Sequence, residues 1–279
     1  KLQTQIQDLK DLKDRITSLP ITQVLDILLA GALKIGASDI HLVVGSPPIL
    51  RIDGELQSGP KGKDVTATEM ETFVFGLLSK LQKERFVAER ELDFAHATPS
   101  GARFRVNIHW EKEVIGFAAR LIPQTIPTME EIGMPDIIYE LTRTPHGLIL
   151  LTGPAGSGKS TSLAAMVNLI NEERAANIIT LEDPIEFLFT PKKSLFRQRQ
   201  IGIDSLSFAN GLRHVLRQDP DCVMVGEMRD LETIATTLTL AETGHLVLAT
   251  LHTFSASQTI ERIIDVFPPH QQQQVRMQL

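Results

Sequence analysis

The sequence predicts an α/β protein in which a mixed α+β domain is followed by a domain built on a mainly parallel sheet. Two observations lead to this fold class. In the first half, short β-like runs and helical stretches follow one another in mixed order. From Gly147 onward, continuous apolar runs of strand length alternate with helical patterns, which is typical of parallel strands buried on both faces. The 279 residues suffice for two hydrophobic cores.

The first domain is predicted to occupy residues 20–123, after an amphipathic helix over residues 1–19. We interpret this helix as a surface or linker element; a connector to an upstream domain or a partner helix is the alternative. Because the sequence begins with Lys1 rather than Met, we expect an upstream part. The elements predicted within the domain are a helix over 22–34, strands over 39–44, 49–52, 104–109 and 114–121, a turn at 53–54, and helices within 66–86 capped by Asp64 or Thr66.

The second domain is predicted to occupy residues 147–279, after a linker over residues 124–146 that contains a helical stretch. The predicted strands are 148–152, 177–181, 222–225 and 245–251, and the predicted helices are 160–171, 207–218 and 230–242. Ligands bind at the carboxyl ends of parallel strands, so the residues that follow each strand are the candidate functional residues.

A glycine-rich loop directly after strand 148–152 is predicted to bind phosphate. The pattern Gly, four residues, Gly, Lys, Ser or Thr supplies backbone N–H groups turned toward an anion, which side chains would obstruct. Lys159 would add positive charge at the β- and γ-phosphates, and Ser160 would offer a hydroxyl to Mg²⁺. A glycine-rich turn that binds nothing is the alternative. The candidate nucleotide-binding residues are Gly153, Pro154, Ala155, Gly156, Ser157, Gly158, Lys159, Ser160 and Thr161.

Three acids, Glu182, Asp183 and Glu186, follow strand 177–181, where Pro184 turns the chain out of the sheet. A carboxylate here is placed to act as the base or water-positioning group opposite the γ-phosphate. A solvated acidic turn is the alternative.

The run 222–225 ends in Gly226 and Glu227, the layout of a Walker B strand. Gly226 stands where an Asp is usual, so Glu227 alone is the predicted carboxylate that holds Mg²⁺, directly or through water. Asp230 or Glu232 is expected to cap the following helix.

A histidine lies at each end of the predicted last strand. His245 and His252 are seven residues apart, so in a regular strand their side chains face opposite sides and cannot ligate one ion. His252, at the carboxyl end, is placed to contact the γ-phosphate, whereas His245 is further away. A histidine of the core or surface without such a role is the alternative for each.

Arginines on the strands of the first domain are candidates for neutralising phosphate charge. One or more of Arg103, Arg105 and Arg120 would reach nucleotide at a domain or subunit boundary, as an arginine finger does. Plain surface charge is the alternative. The basic stretch 192–199 is predicted to be a solvated loop, with contact to a partner or neighbouring subunit as the alternative.

Composition limits the class of protein further. The most apolar stretch, residues 24–37, contains Asp26 and Lys34, so we expect no membrane-spanning helix, although a peripheral membrane location stays open. A net charge of −6 argues against nucleic acid as the main partner. The single cysteine, Cys222, lies in an apolar run and is predicted to be a buried thiol in a reducing compartment.

These pieces, in this order, resemble the secretion ATPase superfamily of type IV pili and type II secretion, and most closely its pilus retraction branch, the PilT-like proteins. In the first domain the resemblance rests on ASDIHL (37–42), RIDG (51–54) and ARFRVN (102–107). In the second it rests on the phosphate loop, the Asp box LEDPIEF (181–187), the Walker B stretch (217–230) and the His box (241–253). GEMRD (226–230) and IIDVFP (263–268) favour the retraction branch.

The resemblance implies a PAS-like N-terminal domain, a RecA-like P-loop ATPase domain and a homohexameric ring that holds ATP and Mg²⁺ between the domains. It places Glu186 as the catalytic glutamate and Glu227 as the Walker B acid, with Arg103 a weaker match than the other two arginines. By position, the implied catalytic residues are Glu186, Glu227, His252, His245, Arg105 and Arg120. Members of the family continue past Leu279 into further helices.

The function that follows is a motor at the cytoplasmic face of the inner membrane that hydrolyses Mg-ATP and removes pilin subunits from a type IV pilus. An inner-membrane platform protein is the expected partner. The alternatives are a pilus assembly or type II secretion ATPase of the same superfamily, and a nucleotide-binding accessory subunit with little hydrolysis. A nucleic-acid translocase is disfavoured by the excess of acidic residues.

Overall fold

The computed structural model describes residues 27, 29, 31, 36–58, 64–98, 102–123, 125–154 and 156–279. The chain divides into two compact units, Lys1–Gln124 and Thr125–Leu279. The predicted helix over residues 1–19 and most of the predicted helix over 22–34 lie outside the described residues. From the latter helix, Ile27, Leu29 and Gly31 are helical, and Leu29 is buried in the core of the first unit.

The first unit is built on a six-stranded antiparallel sheet with the spatial order β3-β2-β1-β6-β5-β4. A tight turn at Asp53 and Gly54, both with positive φ, joins the second and third strands as the sequence predicts. Alternate residues such as Ile40 and Phe104 fill the core, and polar residues occupy the other face. The strands are β1 (Ala37–Leu42), β2 (Ile49–Ile52), β3 (Glu55–Ser58), β4 (Glu91–Ala97), β5 (Arg103–Glu111) and β6 (Val114–Ile122).

Two helices, α1 (Ala67–Leu77) and α2 (Lys80–Glu89), cover the apolar face of this sheet. Thr66 caps α1 in a capping box with Glu69, which confirms Thr66 as the start of this helix. The sequence predicts helices within 66–86 but not the break at residues 78–79, where Ser79 starts α2 with a second capping box.

The second unit is built on a five-stranded, wholly parallel sheet with the spatial order β7-β11-β10-β8-β9. The strands are β7 (Gly147–Thr152), β8 (Asn177–Glu182), β9 (Leu195–Gln200), β10 (Cys222–Val225) and β11 (Leu246–Leu251). The helices are α3 (Asp136–Thr142), α4 (Lys159–Glu173), α5 (Phe208–Val215), α6 (Leu231–Glu242), α7 (Ala256–Asp265) and α8 (Pro269–Gln278).

Both faces of the parallel sheet are buried. Ile178 and Met224 face the core that α4 closes, and their neighbours Ile179 and Val225 face the core that α5 to α8 close. The near-continuous apolar composition of β8, β10 and β11 follows from this two-sided burial. Cys222 is fully buried, and burial raises the pKa of its thiol to about 12.

The edge strand β9 corrects one prediction. Arg197 and Arg199 do not lie in a solvated loop, because they belong to β9, which pairs in parallel with β8 along its full length. Residues of the predicted linker pack within the second unit, where Met129 is 3% exposed in the core beside α4. In the part of the chain that the structure describes, no helix is both long enough and apolar enough to cross a membrane.

Candidate functional site

The phosphate loop, residues 153–158, connects β7 to α4. Gly153 has φ of 152°, and a Cβ at this position would lie 2.7 Å from Oγ of Ser157, so a larger residue would require that side chain to move. Gly158 forms the N-cap of α4 with φ of 88°, a conformation that favours glycine. Ala155 lies outside the described residues. The loop therefore presents main chain rather than side chains along much of its length.

The first amides of α4 lie beside this loop and have no acceptor within the helix. The amide of Ser162 donates to the carbonyl of Gly158 at 2.9 Å, which is the first hydrogen bond of the helix. The amides of Lys159, Ser160 and Thr161 therefore have no acceptor inside the helix. Such amides, with the helix dipole behind them, favour a bound anion.

Lys159 lies across the phosphate loop. Its Nζ donates to the carbonyl oxygens of Gly153 at 2.7 Å and of Pro154 at 2.8 Å. This places a positive charge at the mouth of the loop, which suits the phosphates of a nucleotide. The hydroxyl of Ser160, in the first turn of α4, is a hard oxygen donor of the kind that Mg²⁺ accepts.

The acids that follow β8 separate into two classes. Asp183 and Glu186 are exposed, whereas Glu182 is the last residue of β8 and only 4% exposed. The prediction of three carboxylates presented together is therefore wrong for Glu182. Thr180 and Glu182, at alternate positions after Ile178, point to the α4 face of the sheet.

Buried Glu182 is held by neutral donors. Its Oε1 accepts from Oγ1 of Thr180 at 2.6 Å and from Nε2 of Gln198 at 3.1 Å. Burial raises the pKa of Glu182, and these hydrogen bonds only partly oppose that effect. Glu182 thus contacts Thr180 and Gln198 rather than solvent.

At the end of β10 the chain passes very close to β8. The amide of Gly226 donates to the carbonyl of Leu181 at 2.8 Å, and a Cβ on Gly226 would lie 3.2 Å from that oxygen and 3.3 Å from Cα of Glu182. This contact explains why glycine stands where the Walker B pattern usually has Asp. The carbonyl of Gly226 accepts from the hydroxyl of Thr250 on β11, so the three strand ends are tied together.

Glu227 lies at the centre of a charged cluster. Its Oε2 is 2.7 Å from Nη2 of Arg229, and its Oε1 is 3.4 Å from Nε2 of His252, which follows β11. Nη1 of Arg229 also lies 4.0 Å from a carboxylate oxygen of Asp183. The hydrogen bond from Arg229 raises the pKa of this guanidinium further above its ordinary value. The carboxylate of Glu227 and the hydroxyl of Ser160 are an oxygen donor set whose chemistry fits Mg²⁺.

Asp230, the other acid nearby, caps α6 through the amide of Thr233, as the sequence predicts.

The two histidines lie at opposite ends of β11. His245 precedes the strand, and its Nδ1 is 3.0 Å from the carbonyl of Leu240 and 3.1 Å from the hydroxyl of Thr243 at the end of α6. His252 follows the strand and joins Glu227. Within one subunit, the structure therefore brings His252 but not His245 to the carboxyl edge of the sheet.

The arginines of the first unit form a ladder on the polar face of its sheet. Arg105 on β5 lies directly opposite Arg120 on β6, and Arg120 lies opposite Asp39 on β1. Nε of Arg120 donates to Asp39 at 2.8 Å, and Nε of Arg51 is 3.8 Å from the same carboxylate. Burial acts to raise the pKa of Asp39, but the hydrogen bond and charge of Arg120 hold it below its ordinary value.

Arg105 is available to bind an anion, whereas Arg120 is already engaged by Asp39. Among the described residues Arg105 has no ion-pair partner, and its side chain is exposed. Two like charges directly opposite each other repel, so an anion bound beside them would be stabilising. Arg103, two residues earlier on the same face, is partly buried.

The parallel sheet brings its strand ends to one edge in a defined order. From β7 across to β8 this edge carries the phosphate loop, then His252, then Glu227, then the chain that leads to Glu186. Adjacent strands are about 4.8 Å apart, so the phosphate loop and the end of β8 are separated by three strand spacings, about 14 Å. Ligands of parallel α/β sheets bind at this carboxyl edge.

The sequence and the fold were compared with known families and structures. Residues 14–273 match the family described as Type II/IV secretion system protein. The chain belongs to this family. The Type IV pilus retractation ATPase PilT of Pseudomonas aeruginosa is 45% identical over 252 residues, 90% of this chain and 73% of that protein. The twitching motility protein of Neisseria gonorrhoeae is 45% identical over 232 residues, 83% of this chain and 62% of that protein.

A solved structure described as the pilus retraction motor PilT with bound ADP has a TM-score of 0.86 and 42% identity, and the match covers 94% of this chain and 75% of that one. The predicted resemblance to the secretion ATPase superfamily, and to its retraction branch, is confirmed. So is the predicted fold class, a PAS-like α+β domain followed by a RecA-like P-loop ATPase domain with a parallel sheet.

Sequence reasoning missed three side chains that this secretion-family structure brings to the site. Arg229 joins Glu227, and the quoted GEMRD stretch already contained it. Thr180 and Gln198 bind Glu182, but neither belongs to a motif. Only the pairing of β9 with β8, which sets Gln198 opposite Thr180, could have revealed them.

Proposed function

We propose that this chain is the motor subunit of a type IV pilus retraction ATPase, which hydrolyses Mg-ATP and uses the energy to remove pilin subunits. The observation that carries the proposal is the arrangement at the carboxyl edge of the parallel sheet, where a phosphate loop and an exposed glutamate, Glu186, stand at the ends of two strands of one sheet. The similarity to the PilT of P. aeruginosa supports the pilus assignment.

Each residue at this edge has a distinct part in the proposed reaction. The amides of the phosphate loop and Lys159 bind the β- and γ-phosphates. Glu186 orients the attacking water and accepts its proton, and His252 contacts the γ-phosphate. Ser160 and Glu227 would hold Mg²⁺, which supplies charge neutralisation on the phosphate oxygens when bound.

Arginines of the first domain are proposed to complete the site. Arg105 and Arg120 would neutralise the charge that develops on the phosphates, in a homohexameric ring where nucleotide lies between domains. Arg105 has no ion-pair partner in the described part of the chain, which supports this role, whereas Arg120 must share its guanidinium with Asp39. His245, at the far end of β11, is proposed to act in this ring rather than at the γ-phosphate of its own subunit.

The remaining proposals concern the domain bounds, the location of the protein and its partner. We assign residues 20–123 to the PAS-like domain, 124–146 to a linker and 147–279 to the ATPase domain, with a helical extension over residues 1–19. The motor is proposed to act in the cytoplasm at the inner membrane, with a platform protein of the pilus machinery as its membrane partner and without nucleic acid.

The first test is Mg-ATP turnover per chain across a range of protein concentrations. If subunits complete each other's sites, turnover per chain rises with concentration, and Arg105→Ala lowers it without lowering thermal stability. Turnover that is high and independent of concentration would contradict the shared site. Negligible turnover at every concentration, with ATP still bound, would favour an accessory subunit instead.

A second test addresses the phosphate loop. Lys159→Ala removes a charged donor, so the dissociation constant of a fluorescent ATP analogue should rise by about 10- to 100-fold. Lys193→Ala, a change to an exposed lysine away from the loop, is the matched control and should leave the constant unchanged. Equal affinity of the wild type and Lys159→Ala would remove the basis for the nucleotide site.

The direction of the motor separates retraction from the alternatives of assembly or type II secretion. The chain, expressed in its natural full length in a strain that has pili but lacks its retraction ATPase, should restore twitching. Restoration of piliation in an assembly mutant instead would move the protein to the assembly branch.

A further inference from the structure

The proposed reaction uses the side chain of Glu186, which has no hydrogen-bond or ion-pair partner among the residues that the structure describes. Glu186 is exposed and lies in a loop, residues 183–189, that joins β8 to the segment leading to β9. A carboxylate that orients a water must be held close to one position, because a displacement of about 1 Å can lower a rate by about 100-fold. The loop therefore needs an anchor.

Buried Glu182 provides the first anchor at the end of β8, because its carboxyl group accepts from Gln198, whose amide side chain also binds the loop after Glu186. The hydroxyl of Thr180 donates to the same carboxyl group at 2.6 Å and fixes its orientation. Glu182 is 4% exposed and Thr180 is fully buried, so water does not compete strongly for these bonds.

Gln198, on the edge strand β9, provides the second anchor. Its Nε2 donates to Glu182 at 3.1 Å and to the carbonyl of Phe187 at 2.9 Å, and its Oε1 accepts from the amide of Phe189 at 2.9 Å. One amide side chain thus binds the loop on both sides of Leu188 and also binds the first anchor. The chain on the carboxyl side of Glu186 cannot shift without breaking these bonds.

Packing reinforces the hydrogen bonds. Phe187 and Phe189 are 8% and 7% exposed and join the core beside α4. The ring of Phe189 stacks on Phe196 of β9, with 4.6 Å between the ring centres and 10° between their planes. The main chain from Glu186 to Phe189 is therefore fixed to β8 and β9, while the side chain of Glu186 faces outward.

We propose that Glu182 and Gln198 are positioning residues for hydrolysis: together they clamp the loop so that Glu186 stands at one place relative to bound nucleotide. This inference rests on the proposed role of Glu186 and adds to it two residues that do not touch the substrate. It also gives β9 a functional part, since its Gln198 links the sheet edge to the loop.

The test measures kcat, KM for ATP and the dissociation constant of a fluorescent ATP analogue for Glu182→Ala, Glu182→Gln and Gln198→Ala. Displacement of Glu186 should lower kcat by about 10- to 100-fold in both alanine variants. Nucleotide binding uses other residues, so the dissociation constant should stay within about threefold of the wild type. Glu182→Gln keeps the shape of the side chain and an acceptor for the hydroxyl of Thr180, and should recover most of kcat.

A second arm uses the Glu186→Gln background under single-turnover conditions. If Glu182 acts through Glu186, Glu182→Ala should slow hydrolysis little further in that background, because coupled residues are not additive. Val223→Ala, in the buried strand β10 and outside the clamp, is the control for general destabilisation, with a lower melting temperature and unchanged kcat.

Two results would overturn the clamp. One is a kcat within about twofold of the wild type in both alanine variants, and the other is a loss of kcat that Val223→Ala reproduces at equal loss of stability. Failure of the underlying function is distinguishable, since wild-type hydrolysis by Glu186→Gln would refute the role of Glu186 whatever Glu182 does. Gln198→Ala keeps the test decisive if Glu182→Ala does not fold.

Discussion

The ends of β8 and β10 lie side by side in one sheet, and each carries a glutamate, but the two carboxyl groups are held in opposite ways. Glu182 is buried among neutral donors, and burial raises its pKa. The side chain of Glu227 is 19% exposed and lies against Arg229 and His252. The residue type is the same, but the surroundings differ. They make one carboxyl group a buried hydrogen-bond acceptor and leave the other accessible for interaction with charged groups.

The two carboxyl groups differ because the two glutamates lie at different positions relative to the end of their strands. Glu182 is still part of its strand and points into the core beside α4, whereas Glu227 follows a glycine that has already left the sheet. A buried acid is useful as an acceptor of fixed hydrogen bonds, and an accessible one can exchange Arg229 for another cation. We therefore expect the two positions to respond differently to mutation, pH and salt.

The largest expected effect is on stability. Glu182→Ala removes the acceptor of buried Thr180 and of partly buried Gln198 and should lower the free energy of unfolding by about 3 kcal/mol. Glu227→Ala removes partners that are largely exposed and should cost less than about 1 kcal/mol. Chemical denaturation of both variants beside the wild type measures the difference. Equal losses would mean that Glu182 is no more a structural residue than Glu227.

The next effect is a pH dependence carried by Glu182. Its folded-state pKa lies above the ordinary 4.5, so the folded protein binds this proton more tightly than the unfolded chain. The resulting stability is complete below pH 4.5 and is lost as pH rises through the folded-state pKa, by about 1.4 kcal/mol per pH unit within that window.

The measurement is the difference in unfolding free energy between wild type and Glu182→Gln at a series of pH values. The difference cancels groups common to both proteins, including Asp39, whose lowered pKa acts with the opposite sign. Relative to Glu182→Gln, the wild type should weaken as pH rises. A difference that stays constant with pH would show that Glu182 titrates as an ordinary exposed acid.

These contrasts also show which features of the structure can be predicted from the sequence. The apolar run Cys222–Val225 between turn residues predicted β10 with its observed bounds, and the capping roles of Thr66 and Asp230 were predicted from their positions before helices. Such features are local, because strand burial and helix caps depend on neighbouring residues in the chain.

Edge strands and buried polar groups were not predictable in this way. The sequence LFRQRQ of β9 has only a partly apolar pattern because one side of an edge strand lacks a partner, so it was interpreted as a loop. Glu182 was grouped with its exposed neighbours because the strand boundary, one residue beyond the prediction, decides which acid is buried. The role of Gln198 depends on the register of β9 against β8, which is a property of the fold.

The smallest expected effect is a response to salt. Raising NaCl from about 0.1 M to about 1 M screens the pairing of Glu227 with Arg229, so the stability difference between the wild type and Glu227→Gln should shrink by a few tenths of a kcal/mol. The difference between wild type and Glu182→Gln should not change, since its partners are neutral and buried. A larger salt response at Glu182 than at Glu227 would reverse the assignment of the two carboxyl groups.

The most direct test of the account is single-turnover hydrolysis of bound ATP by the wild type and Glu186→Gln, with ATP affinity measured on the same samples. In the proposed reaction Glu186 acts in the chemical step and not in binding, so we expect unchanged affinity and a hydrolysis rate lower by about 100- to 10,000-fold in the variant. Hydrolysis by Glu186→Gln at the wild-type rate would contradict the central role of this strand end.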